Sequence, residues 1–292
     1  MRILGRKVRL TATGASGLVI NAGQDTDREL KIAFSAARSL SSSANDGTIR
    51  IWNLSEGHRN AMGRELEDVR LEAGYINETG EDVGVIFAGQ IRKPSHAREG
   101  ADIITTLECG DGDRGLRRAA VSKAFPAGTP VRDVIEHVAE AFEPHGVVIG
   151  EMKLPDLGKL RRPYAMCGSA RREMDRLCRS VGAYWSVQSG TLETVPGDGW
   201  LKGIASFDAG SGLIGVPSKT DVGVEAEVFL SPGLRPGRTV RIASELMELG
   251  ADDKLFRVSK VNFDGDNRVG QFVAGIGGEA IRGGKVDEGA LR

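Results

Sequence analysis

The stretch Glu108-Cys109-Gly110-Asp111-Gly112-Asp113 sets carboxylates among glycines, as the start of a calcium loop does. Such a loop needs further oxygen ligands at its fifth and twelfth positions. The chain does not supply them, so a turn is the preferred reading. The histidines His58, His96, His137 and His145 show no H-x-x-x-H spacing and have no cysteine at ligand spacing. His137 falls on the polar side of a predicted helix and is expected to be solvated. No metal site is assigned.

Nucleophiles and phosphate cradles fare no better. Cys178 lies on an apolar helical stripe and is expected to be a buried, inert thiol, and Cys109 closes a strand with no histidine near it in sequence. "GASG" and "GSG" do not make the G-x-S-x-G elbow. "TGASG" and "GIGG" lack both the P-loop lysine and the dinucleotide fingerprint. Glu136, Glu140 and Glu143 offer carboxylates for glycoside hydrolysis, but their spacing is that of a solvated helix face. Arg161, Arg162, Arg171 and Arg172 form a basic stretch. It suits a channel wall or an acidic partner, although the intervening Glu173 and Asp175 favour a solvated surface. Catalytic, cofactor-binding and metal residues are all read as none, and the chain as non-enzymatic.

Composition sets the frame. With 292 residues the chain has room for about two domains. A net charge of -1 gives no support to a sequence-reading nucleic-acid binder. Forty glycines, about twice the usual share, imply many turns and many short strands. Three cysteines with no C-x-x-C pair fit a reducing compartment. The N-terminus has no apolar run of a signal peptide, and no stretch reaches the length of a membrane span.

Elements follow from periodicity. "ELKIAFSAARS", "TIRIWNL", "DVRLEAGY", "VGVIFAGQI" and "ADIITTLEC" alternate or run apolar over strand lengths. On "TIRIWNL", Trp52 and Leu54 share a face, with core preferred over subunit interface. Helical spacing then takes over. Val131, Val134, Ile135, Val138, Ala139 and Phe142 predict a helix with Thr129 as N-cap and Pro130 in its first turn. Met174, Leu177, Cys178 and Val181 predict a second helix, capped by Ser169 and ended by Gly182. A hairpin is predicted at Ser189–Gly190. Strands return with "VGVEAEVFL", "GRTVRIAS", "KLFRVSKVNF" and "VGQFVAGI".

"NDGTIRIWNL" looks like the closing strand of a propeller blade, but it occurs once and two helices follow, so the repeated blades of a propeller are absent. A different echo is present. Val69, Phe87 and Ile104 recur at nearly the same interval as Val240, Phe256 and Val273. Two related barrels would give this pattern, and so would two unrelated antiparallel meanders. The fold class is read as mainly β with a smaller α+β part: two related antiparallel β-barrel domains flanking an inserted helix-containing domain. The expected boundaries are 1–115 for the first barrel, 116–200 for the α+β insert, 201–278 for the second barrel, and 279–292 for a mobile C-terminal tail.

The ordered series "LKIAFSAARSLSSSANDGTIRIWNLS", "VRLEAGY", "VIFAGQI", "GADIITTLECGDGDRGL", "AFPAGTPVRDVIEHVAEAF", "SGLIGVPSKTDVGVEAEVFLSPGLRPGRTVRIAS" and "LFRVSKVNFDGDNRVGQF" resembles the baseplate hub proteins of contractile-tailed, Mu-like phages. It covers most of the chain. The resemblance implies a homotrimeric ring that joins the sixfold tail tube, or a tube-initiator protein, to a threefold central spike. It also implies contacts with other baseplate proteins, DNA only in transit through the channel, and no membrane span. It places the protein in the virion, at the phage tail baseplate, after assembly in the host bacterial cytoplasm. Two alternatives stand beside it: a tail-associated peptidoglycan hydrolase built on the hub fold, and the hub of a phage-derived bacteriocin.

Overall fold

The computed structural model describes residues 3–23, 29–78, 80–246 and 248–286. The chain opens with a hairpin, β1 (Ile3–Gly14) and β2 (Gly17–Gly23), which lies outside the strands predicted from sequence. Val8, Leu10 and Ala12 are buried and Arg9 between them is exposed, as a strand with one face on a core requires. Next come β3 (Ile32–Ser39), β4 (Asp46–Trp52) and the short helix α1 (Glu56–Ala61). Three long strands follow: β5 (Leu66–Asn77), β6 (Gly80–Glu99) and β7 (Asp102–Gly110).

On β4 the core face belongs to Ile49 and Ile51, while Trp52 lies on the outer face with Arg50. The expectation that the Trp52 side is core is corrected. Asn53 takes a left-handed φ of 57°, which ends the alternation and turns Leu54 back into the core. Trp52 is covered instead by cations, with Lys31 Nζ 4.4 Å and Arg50 Cζ 5.0 Å from its ring centroid.

The middle of the chain holds α2 (Asp113–Arg118), β8 (Ala120–Phe125), α3 (Val131–Glu140) and β9 (Val148–Met152). It continues with β10 (Tyr164–Ser169), α4 (Ala170–Ser180), β11 (Ala183–Gln188) and β12 (Thr191–Pro196). Val134, Ile135 and Val138 of α3 share a core with Met174, Leu177 and Cys178 of α4, the stripes read from sequence. Pro130, not Thr129, occupies the N-cap of α3, and the Thr129 hydroxyl donates to the Pro126 carbonyl. Ser169 stands at the N-cap of α4 without a side-chain bond. The β11–β12 turn falls at Ser189–Gly190, with φ of 54° and 79°, the left-handed pair that a two-residue hairpin favours.

The last third contributes β13 (Ile204–Phe207), β14 (Leu213–Lys219), β15 (Gly223–Phe229) and β16 (Thr239–Ile242). It ends with β17 (Leu255–Asp266), β18 (Phe272–Arg282) and β19 (Lys285–Val286). The expected tail is corrected over residues 279–286. Strand β18 runs on to Arg282, Glu279 is buried against Arg257, and Val286 is buried where β19 pairs with β18. Residues 287–292 of that tail lie outside the described residues.

Both β regions belong to one fourteen-stranded sheet, ordered β14-β15-β18-β17-β3-β4-β7-β6-β5-β1-β2, with β13, β16 and β19 off this path. The join is β17 against β3, from Lys260↔Ser39 to Asp266↔Ala33. Apolar residues from both regions form a single core. The same connectivity occurs on each side of the join. Hairpin β3–β4 pairs through β4 with β7 and the order returns β7-β6-β5; hairpin β14–β15 pairs through β15 with β18 and the order returns β18-β17-β16.

Candidate functional site

The end of β3, the turn after β7, the β11–β12 turn and the loop between β15 and β16 meet in a buried polar junction. Arg38 is its centre, only 2% exposed. Its Nε donates to Gln188 Oε1 at 3.1 Å and its Nη1 to the Ile86 carbonyl at 3.3 Å. That carbonyl is free because Ile86 is skipped in the β5–β6 register, a bulge. Gln188 Nε2 donates back to the Ser39 carbonyl at 2.7 Å, so the strand end and the turn hold each other. Burial pushes the Arg38 guanidinium down to about 10, which leaves it charged at neutral pH.

Asp111 ties the same turn from the other side. Its carboxylate accepts from the backbone N–H groups of Ser189 at 2.5 Å and Gly190 at 2.7 Å, and from the Asn45 amide at 3.5 Å. Asn45 also donates to the Val187 carbonyl at 2.7 Å. Burial raises Asp111 to about 6, against the opposing pull of the Gly190 N–H and the Arg38 charge. Arg238 forms a two-pronged bridge to Glu193, tying the β15–β16 loop to β12. These bonds join three stretches of chain that are distant in sequence.

A second anchor lies across β17 and β18. Arg257 and Glu279 are register partners, each side chain 2% exposed, with Arg257 Nε to Glu279 Oε2 at 2.5 Å. Arg257 Nη1 donates to the carbonyls of Pro196, Gly197 and Gly199, at 3.1, 2.8 and 2.9 Å. The pair therefore pins the connection from β12 to β13 onto the sheet.

The residues singled out in the sequence are not brought together. Asp113 pairs with Arg92 and Arg117, away from the Asp111 bonds, so the two carboxylates do not converge on one point. His58 faces Ser55, His96 faces Thr105, and His137 meets Glu140 and the edge of Phe125. Glu136 pairs with Arg132 on the outside of α3. Cys109 and Cys178 are buried, and burial pushes both thiols up to about 12. Arg172 lines a shallow surface depression on α4 with Arg176 and Arg179. Among the described residues no group of three or more His, Cys, Asp or Glu is placed to hold a metal ion, and no helix is long and apolar enough to cross a membrane. Arg38, Gln188, Arg238 and Arg257 went unmarked in the sequence. Their only local signal is a long polar side chain inside or beside a strand.

The fold is that of phage tail proteins. It is similar to the 43 kDa tail protein of prophage MuSo2 from Shewanella oneidensis, with a TM-score of 0.63 at 10% identity over 96% of this chain and 98% of that one. It is similar to a tail protein from Neisseria meningitidis MC58, with a TM-score of 0.62 at 11% identity over 94% and 96% of the two chains. It also resembles E. coli c3393, a type VI secretion component described as similar to the T4 tail proteins gp27 and gp5. There the TM-score is 0.61 at 11% identity, over 91% of this chain and 78% of that one. No curated protein matches the chain in sequence. The baseplate hub gp41 family matches residues 7–278, and the chain belongs to it. It is a structural component of a phage tail baseplate.

Proposed function

We propose that this hub acts as a homotrimeric ring that joins the sixfold tail tube to a threefold spike, with its axial opening on the path of the DNA. The observation that carries this reading is the recurrence of one strand connectivity on both sides of the β3–β17 join. A chain with two like β units presents six such units as a trimer, the simplest bridge between threefold and sixfold partners. The proposed units are 1–115 and 201–278, the first and second β-barrels, with 116–200 inserted between them. Strands β2 and β14 end the sheet path, each with one edge unpaired among the described residues. Such edges either pair with another chain or must be protected from it. The work is architectural and non-enzymatic, the partners are tube, spike and neighbouring baseplate proteins, and assembly in the host cytoplasm precedes incorporation into the virion.

Native mass spectrometry across a concentration series tests the ring. The expected species has three times the 31.1 kDa mass of the chain. A monomer that stays monomeric when mixed with tube and spike proteins would overturn the proposal.

A further inference from the structure

Beside the buried junction lies an open pocket of ≈420 Å³, lined by Arg70, Gly84, Val85, Ser189, Pro232 and Arg235 among others. Its walls come from all three stretches of chain, and they approach closely. A Cβ added to Gly84 would stand 2.9 Å from Pro232 Cβ.

The charges around it do not balance. Arg238 is matched by Glu193 and Arg70 by Glu72 at 3.1 Å. Asp111 lies within electrostatic reach of Arg38, but its oxygens are taken by the Ser189, Gly190 and Asn45 donors. The Arg235 side chain is half-buried, and its guanidinium has no hydrogen-bond or ion-pair partner among the described residues. Its setting is rigid. It sits between Leu234, which is 1% exposed, and Pro236, whose ring confines the Arg235 backbone to extended conformations. Two polar atoms nearby are buried without a partner, Ser189 Oγ and Arg38 Nη2, both closed off from the pocket opening. Arg38 bonds to Ile86 and Gln188, the chain neighbours of the wall residues Val85 and Ser189, so its guanidinium lies directly behind that wall. The donor that reaches the pocket without an acceptor is the Arg235 side chain.

We propose that this pocket binds a single carboxylate, an acidic side chain delivered by a partner protein. The free guanidinium is a planar fork that matches the two oxygens of a carboxylate. Asp111 and Glu193 act on Arg235 from nearby, so the residual charge suits a monoanion better than a phosphate dianion. A nucleic-acid backbone would call for a track of basic residues, and here the free guanidinium is recessed among acids. Only the source of the carboxylate rests on the hub reading.

The test is an NMR titration of the full chain at fixed ionic strength with N-acetylglutamic acid amide. The signals to follow are the Arg235 Nε–H and the backbone N–H of Ser189 and Gly190. Saturable shifts in the millimolar range are expected with the acid, and none with the neutral N-acetylglutamine amide. Arg235→Gln should weaken binding by about tenfold. Shifts that grow linearly with any salt would overturn the proposal, as would tighter binding of inorganic phosphate or unchanged binding by Arg235→Gln. The subunit mass does not enter this titration, so failure of the ring and failure of the pocket give different results.

Discussion

Asp111 holds the β11–β12 turn by two backbone N–H groups, and its burial carries a pH signature. Its folded value of about 6 stands above the ordinary 3.8, so the native state keeps this proton more tightly than the unfolded chain does. Stability linked to Asp111 is therefore greatest in acid and falls as pH rises from about 4 to about 6. A shift of about two units corresponds to roughly 3 kcal/mol. Urea unfolding of the protein and of Asp111→Asn between these pH values should show the wild-type advantage shrinking by up to that amount. A constant gap would mean that Asp111 titrates as an ordinary carboxylate. In the sequence Asp111 was legible as a turn residue, because glycines flank it. Its partners were not: Asn45 lies 66 positions before it and Ser189 78 positions after it, and they meet only once the sheet is built.

At the level of elements, the sequence revealed what has a period. Ile32, Phe34 and Ala36 alternate because one face of β3 meets the core, and α3 and α4 show their stripes for the same reason. What lacked a period was missed, and so was β1, although Val8, Leu10 and Ala12 alternate along it. Helix α1 has six residues and buries none, so no apolar rhythm could mark it. The second half of β6, through Lys93, Pro94 and His96, pairs with β7 but packs few side chains inward, and its sequence reads as loop. The tail was misread because small residues around Glu279 gave no sign of what they cover. The Arg257–Glu279 pair shows why the strand continues, since Glu279 must neutralise an arginine that clamps three carbonyls. Removing one partner of a buried pair leaves an uncompensated charge. Glu279→Leu should lower the unfolding free energy by about 3–5 kcal/mol, measured by urea denaturation. A loss below about 1 kcal/mol would show that water reaches the arginine.

At the level of the whole molecule, the division into β, α+β and β stretches was legible, because the period changes from two to helical and back. The joining of the outer stretches was not, since no local pattern says which edge of β17 meets which edge of β3. That join also dictates an order of events during synthesis. Strand β3 leaves the ribosome more than 200 residues before Lys260–Asp266, the stretch of β17 that pairs with it. At usual elongation rates the wait is roughly 10–45 s. Throughout that time a ready strand edge stands open beside growing neighbours on the same message. A fragment of residues 1–200 should therefore sediment as aggregate when expressed alone, and co-expression of residues 201–292 should return it to the supernatant. A soluble, monomeric fragment would show that the early half shields this edge by itself. Translation of β17 closes the window for mispairing.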